Sequence, residues 1–104
     1  MVGDLIHYAE FDYRLSLAEL SRCCEVSAEK ILFWVSEGVL EPSGGRERDW
    51  RFDSADLERA RCALRLERDL GLNAAGIALT LQLLDESRRL QARVSLLETL
   101  LDDR

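Results

Sequence analysis

One histidine and three cysteines are all the soft metal-binding chemistry in these 104 residues. His7 stands alone, Cys23 and Cys24 are adjacent, and Cys62 is remote, so neither a metal-ligand spacing nor a CxxC pair occurs. A lone histidine near the chain start allows no Ser-His-Asp or Cys-His arrangement, and Gly44-Gly45 reads as a turn rather than a phosphate cradle. No enzyme activity, cofactor or metal is expected. Bases are also scarce: 14 Lys+Arg face 20 Asp+Glu, a net charge of −6. Nucleic-acid affinity comes from neutralised phosphates, so this balance is wrong for holding a polyanion and suits a basic partner instead. The longest uncharged run, Leu70 to Leu84, is too short and too polar to span a bilayer. Met1-Val2-Gly3-Asp4 offers neither a basic nor an apolar leader region, and a cytoplasmic protein is expected. The cysteines then read as buried thiols rather than as a meeting of thiolates. No internal repeat, linker or low-complexity stretch is visible.

What is present is globular: 47% apolar and 33% charged residues in the length of one domain. Phe11-Asp12-Tyr13-Arg14-Leu15 alternates as a short half-buried strand does. Ser16-Leu17-Ala18-Glu19 has capping-box spacing and predicts a helix from Leu17 to Cys24. Ser27 offers the next N-cap for a helix from Ala28 to about Glu37, with Ile31 and Val35 inside and Gly38 as the stop. Helix, three-residue turn, helix is the helix-turn-helix pattern. Val39-Leu40-Glu41-Pro42 and Asp49-Trp50-Arg51-Phe52 flank Ser43-Gly44-Gly45, which predicts a hairpin, or wing. Asp53–Asp56 can cap a third helix with Leu57, Ala60, Leu64, Leu66 and Leu70 as its buried stripe, and Gly71 as its end. The expected fold is mostly α: a winged helix-turn-helix with a small β-sheet over residues 1–72, then a long C-terminal helix over 73–104, forming one structural unit.

Asn73 can cap that last helix, which continues almost to the chain end. Leu83, Leu90, Val94, Leu97 and Leu101 recur at nearly heptad spacing, interrupted at Ser87. The helix either packs on its own domain or pairs with a second copy. Pairing is the reading preferred, which makes those five residues a homodimer seam.

Residues Lys30 to Pro42, Trp50-Arg51-Phe52 and Leu70-Gly71-Leu72-Asn73 resemble the winged-helix frame of MerR-type regulators. In those regulators the second helix carries Arg-Tyr-Tyr, where this chain has Leu32-Phe33-Trp34, with the acid Glu29 near the helix start. The chain is more closely similar to the CbpM family of chaperone modulators, whose MerR-like domain is degenerate. That resemblance rests on Gly38-Val39-Leu40-Glu41-Pro42, Trp50-Arg51-Phe52-Asp53 and, above all, Leu70 to Leu81 followed by Leu84-Asp85. It implies a protein that binds the J-domain of a CbpA-like, DnaJ-type co-chaperone and prevents it from stimulating its Hsp70, DnaK. The alternative function is a MerR-like DNA-binding transcriptional regulator.

Charge placement agrees with the first of these. Residues 1–52 hold ten acids and six bases, and residues 53–104 ten and eight, so most of the imbalance lies in the half where a regulator is basic. With Ile31 and Val35 inside, helical geometry turns Glu29, Lys30, Phe33, Ser36 and Glu37 outward. An exposed aromatic with a charged rim has the composition of a binding hot spot, and Glu29, Lys30, Phe33 and Glu37 are the candidate partner-binding residues. Trp34 and Trp50 read as core. Arg46, Arg48 and Arg51 cluster on the wing, but Glu47 and Asp49 interleave with them and cancel most of their field.

Overall fold

The computed structural model describes residues 14–102. Four α-helices follow in order: α1 (Leu17–Cys24), α2 (Ala28–Ser36), α3 (Ser54–Leu70) and α4 (Ala74–Asp102), with a 3-10 turn at Glu47–Asp49. Each start is made by a local side chain. Ser16 accepts the Glu19 amide at 3.2 Å, while Glu19 accepts the Ser16 amide at 2.8 Å. Ser27 accepts the Lys30 amide, Asp53 and Asp56 exchange the same reciprocal bonds, and Asn73 accepts the Gly76 amide.

The turn between α1 and α2 is the one the sequence predicts. Glu25 takes a left-handed conformation, φ 56, and its amide donates back to the Arg22 and Ser21 carbonyls. Gly38 and Gly71 adopt positive φ after α2 and α3 and end them. Leu20, Ile31, Trp34, Val39, Leu40, Phe52, Ala60, Ala63 and Ile77 are fully buried and form one core. On α2 the inward pair is Ile31 and Trp34, with Val35 half-buried beside them.

Three expectations need correction. The small β-sheet does not form among the described residues; two isolated antiparallel bridges stand in its place, Leu15 with Phe52 and Ser43 with Arg51. In one direction the next ladder bonds would join Glu41 and Asp53, but the Asp53 amide already donates to the Asp56 carboxylate. In the other, Asp49 donates to the Arg46 carbonyl and Trp50 to that of Glu47, so those amides are spent within a 3-10 turn. Arg46-Glu47-Arg48-Asp49 also has no apolar alternation to bury, so no strand is favoured there. Of the first expected strand, Phe11–Tyr13 lie outside the described residues. Second, Leu70 is 67% exposed and drops out of the α3 stripe; Ala60 is fully buried as expected and is joined by Ala63, with Leu57, Leu64 and Leu66 half-buried against the core. Third, of the thiols only Cys24 is buried; Cys23 faces solvent and Cys62 is half-covered.

The turn still has a defined shape. A Cβ on Gly44, at φ 102, would sit 2.5 Å from the Asp49 carbonyl oxygen, so the loop requires glycine there. Trp50 stacks edge-on against the buried Phe52 at 6.4 Å.

α4 enters the core with Ala74, Ile77 and Leu81 and then leaves it. From Gln82 to Asp102 no residue is buried. At 1.5 Å per residue this free segment is about 30 Å long, and it draws the molecule out to 54 × 31 × 30 Å.

Candidate functional site

The helix that would read DNA in a regulator presents an acidic and aromatic face here. Burying Ile31 and Trp34 turns Phe33 outward, where it is 52% exposed. Glu29 and Glu37 lie four residues before and after it, so all three share one side of α2, and both acids are exposed. The end of the helix is held locally: the Ser36 hydroxyl and the Glu37 amide both donate to the Phe33 carbonyl. The face is therefore presented on a capped, core-anchored helix.

Lys30 is employed differently. Its ammonium pairs with Glu67 of α3 at 2.5 Å and lies 5.6 Å from the centroid of the Trp34 ring. This contact braces α2 against α3 and turns the Lys30 charge away from the Phe33 face, leaving that face more acidic than the sequence alone suggests.

The structure adds a groove that sequence reasoning missed. The end of α2, the following loop, α3 and the first turns of α4 enclose about 630 Å³ lined by Glu37, Gly38, Glu41, Arg59, Ala75, Ala78, Leu79, Gln82, Asp85 and Arg89. Arg59 crosses it, donating to Asp85 at 2.6 Å and to the Val39 carbonyl at 3.2 Å. A smaller hollow of about 280 Å³ adjoins it and includes Asp53 and Asp56. Burial pushes the Asp56 carboxyl up to about 6, and the neighbouring Asp53 carboxylate works in the same direction. Glu37 thus belongs to both the α2 face and the groove. Glu37 and Asp85 are far apart in sequence, and no local signal joins them.

On the opposite account, wing arginines would grip phosphate. Arg46, Arg48 and Arg51 are exposed, but Arg51 donates to its own neighbour, the Trp50 carbonyl, at 2.7 Å. Glu47 and Asp49 stand between them in the 3-10 turn. Burial also raises the Cys24 thiol pKa, which keeps that sulfur protonated and inert. Among the described residues no three His, Cys, Asp or Glu side chains gather as metal ligands, and no helix is long and apolar enough to cross a membrane.

The seam residues Leu83, Leu90, Val94, Leu97 and Leu101 lie together on the free part of α4, each 53–60% exposed. Leu83, Leu90 and Val94 border a shallow trough that also includes Ser87 and Glu98.

Comparison with known proteins follows the same lines. Residues 15–99 match the family described as MerR HTH family regulatory protein. A chaperone modulatory protein CbpM from Coxiella burnetii is 38% identical over 84 residues, covering 81% of this chain and 79% of that protein. A protein of the same name from Pseudomonas putida is 34% identical over 85 residues, covering 82% and 84%. One from Pseudomonas entomophila is 33% identical over 85 residues, with the same coverage.

Proposed function

The chain belongs to the CbpM family of chaperone modulators, on a MerR-type helix-turn-helix domain, and from that premise we propose that it binds the J-domain of a CbpA/DnaJ-type co-chaperone in the cytoplasm. Binding blocks stimulation of the Hsp70, DnaK, by occupying the surface that the Hsp70 needs. The observation that carries this reading is the exposed Phe33 between Glu29 and Glu37, on the helix where a DNA reader is basic. The helix-turn-helix part, residues 1–72, supplies the contact, and the helix over 73–104 pairs two copies into a homodimer. Lys30 borders the contact and holds its helix in place.

Competition by occupancy requires neither catalysis nor a conformational change. Inhibition is then stoichiometric and saturable. A protein of net charge −6 is steered toward a basic J-domain helix, and that steering weakens with salt. Calorimetry with the cognate J-domain tests this directly: one site per chain, weakened by Phe33→Ala, is the expected result. Absence of heat at any salt concentration would remove the proposed partner.

The second reading, a DNA-binding regulator, has the family match in its favour. It requires α2 in a major groove with wing arginines on phosphates. A gel shift with genomic fragments at low salt decides: a specific, salt-sensitive footprint favours the regulator.

A further inference from the structure

Among its fourteen basic residues the chain has thirteen arginines and a single lysine, Lys30. That lysine stands beside the acidic and aromatic face of α2. It precedes Phe33 by three residues, so the two side chains are neighbours on the helix surface, about 5–6 Å apart at Cβ. Turned toward Phe33, its ammonium would cover part of the ring and offset one of the two acids that flank it. The structure places it elsewhere. Lys30 is half-buried, with its Nζ 2.5 Å from Glu67 Oε1 and over the Trp34 ring.

Two groups hold it there, and they differ in strength. The ring contact is weak at a site this open to water, whereas a charged hydrogen bond to a carboxylate fixes direction. Among the described residues Glu67 is the only carboxylate paired with Lys30. A lysine suits the task, because its flexible stem can lie along a ring and still deliver a compact charge to the next helix. Glu67 is 37 residues away in sequence and belongs to α3, so it takes no part in the Phe33 face itself.

Resting on the Phe33 contact proposed above, we infer that Glu67 is a positioning residue of that contact: it draws the chain's single lysine back across Trp34 and keeps the Phe33 face uncovered and acidic toward a basic partner. The two halves of this ion pair then act in opposite senses. Without Glu67 the ammonium is released toward Phe33, where it repels a basic surface and competes for the ring. Without Lys30 the face loses its one neighbouring positive charge and becomes more acidic. An ion pair that merely braced α2 against α3 would make the two losses alike.

Stopped-flow mixing of the full-length chain with the cognate J-domain at low salt reads the two halves separately. Glu67→Gln should slow association about two- to threefold, whereas Lys30→Gln should raise it by less than about twofold. In a Lys30→Gln background, Glu67→Gln should show less than about half of its effect, because no ammonium is left to release. Glu67→Asp, which keeps a carboxylate on α3, should recover most of the wild-type rate. The single lysine also gives a readout without the partner. Its ε-methylene proton resonance should be shifted upfield by the Trp34 ring, and should return toward that of a solvated lysine in Glu67→Gln but not in Glu67→Asp. Slowing by both Glu67→Gln and Lys30→Gln, no slowing by Glu67→Gln, or a lysine resonance that Glu67→Gln leaves in place would each overturn the proposal. A chain with the shifted resonance but no J-domain binding strikes the functional reading, and this inference through it.

Discussion

The first eight residues of α4 and the twenty-one that follow are one helix in two settings. The first part is rich in small residues yet buries Ala74, Ile77 and Leu81. The second holds most of the helix's leucines and buries nothing. Apolar content therefore does not decide burial here; the face does. The inward face of the first part continues into the second as Asp85 and Arg88, and there the helix leaves the core. The opposite face becomes leucine-rich only beyond Thr80. An isolated helical extension of this length is marginal in water, and the homodimer proposed above would give its leucines a second burial surface.

The largest expected effect tests whether the two parts differ in energy as they do in exposure. Trp34 is 1% exposed and Phe52 0%. Replacing either by Ala should destabilise the fold by about 3–5 kcal/mol. Leu96 is 59% exposed and lies off the seam, so Leu96→Ala should cost about 0.5 kcal/mol or less. Urea unfolding followed by circular dichroism measures both. A large loss at Leu96 would mean that something covers the outer side of the helix.

Next in size is Leu90→Lys, which in the proposed homodimer places two charges in the seam and removes two leucines that pairing would bury. At about 1.5–3 kcal/mol per side chain, dimerisation should weaken at least a hundredfold. Light scattering should show a monomer, with the unfolding midpoint of the domain little changed. A variant that unfolds instead would show that the two parts are not separable.

Much of this contrast is legible in the sequence, because it is local. Ser16 with Glu19, Ser27, Asp53 with Asp56, Asn73 and Gly71 each fix a helix end through neighbours three or four residues away. The Phe33 face is legible for the same reason: helical spacing from Ile31 places it. The missing sheet depends on which amides are left over after the Glu47–Asp49 turn closes, and strand alternation does not report that. Ala63 was eclipsed by the larger Leu70 because residue size is a poor guide where helices cross closely. The groove joining Glu37 and Glu41 to Leu79 and Asp85 arises from tertiary packing, and no spacing signals it.

Phe33→Ala sharpens a second contrast, between aromatics that hold the fold and one that does not. Phe33 is half-exposed, so its loss should leave stability within about 0.5 kcal/mol of the wild type. Its binding cost should reach about 2 kcal/mol or more if it anchors the J-domain contact. Calorimetry paired with unfolding separates the two quantities. Equal losses in both would return Phe33 to the core.

Asp56 gives a smaller, pH-dependent effect. Its folded pKa of about 6 lies above the ordinary value of 3.8, so the native state prefers the protonated carboxyl. The associated stability is present below pH 4 and is lost as pH rises through 6. The group is partly solvated, and screening leaves about 1 kcal/mol. Asp56→Asn keeps an oxygen to accept the Asp53 amide while removing the charge. Its stability relative to the wild type should rise between pH 4 and pH 7, measured by urea midpoints across that range. A flat difference would mean that Asp56 titrates as a solvated carboxylate.

The smallest effect on affinity, and the one that best divides the two functional readings, comes from Glu29→Lys combined with Glu37→Lys. Both acids sit on the exposed rim of Phe33, where charge sets encounter more than residence. Association with the J-domain should slow and lose its salt dependence, with dissociation nearly unchanged, as stopped-flow mixing at two salt concentrations reads directly. The equilibrium affinity should fall by less than about tenfold, because rim pairs contribute little once formed. The same variant makes α2 basic, like the DNA-reading helix of a regulator. If the chain binds DNA through α2, its low-salt affinity for DNA should rise while its J-domain on-rate falls. One protein thus moves the two activities in opposite directions, and a variant that leaves the J-domain on-rate unchanged places the contact away from α2.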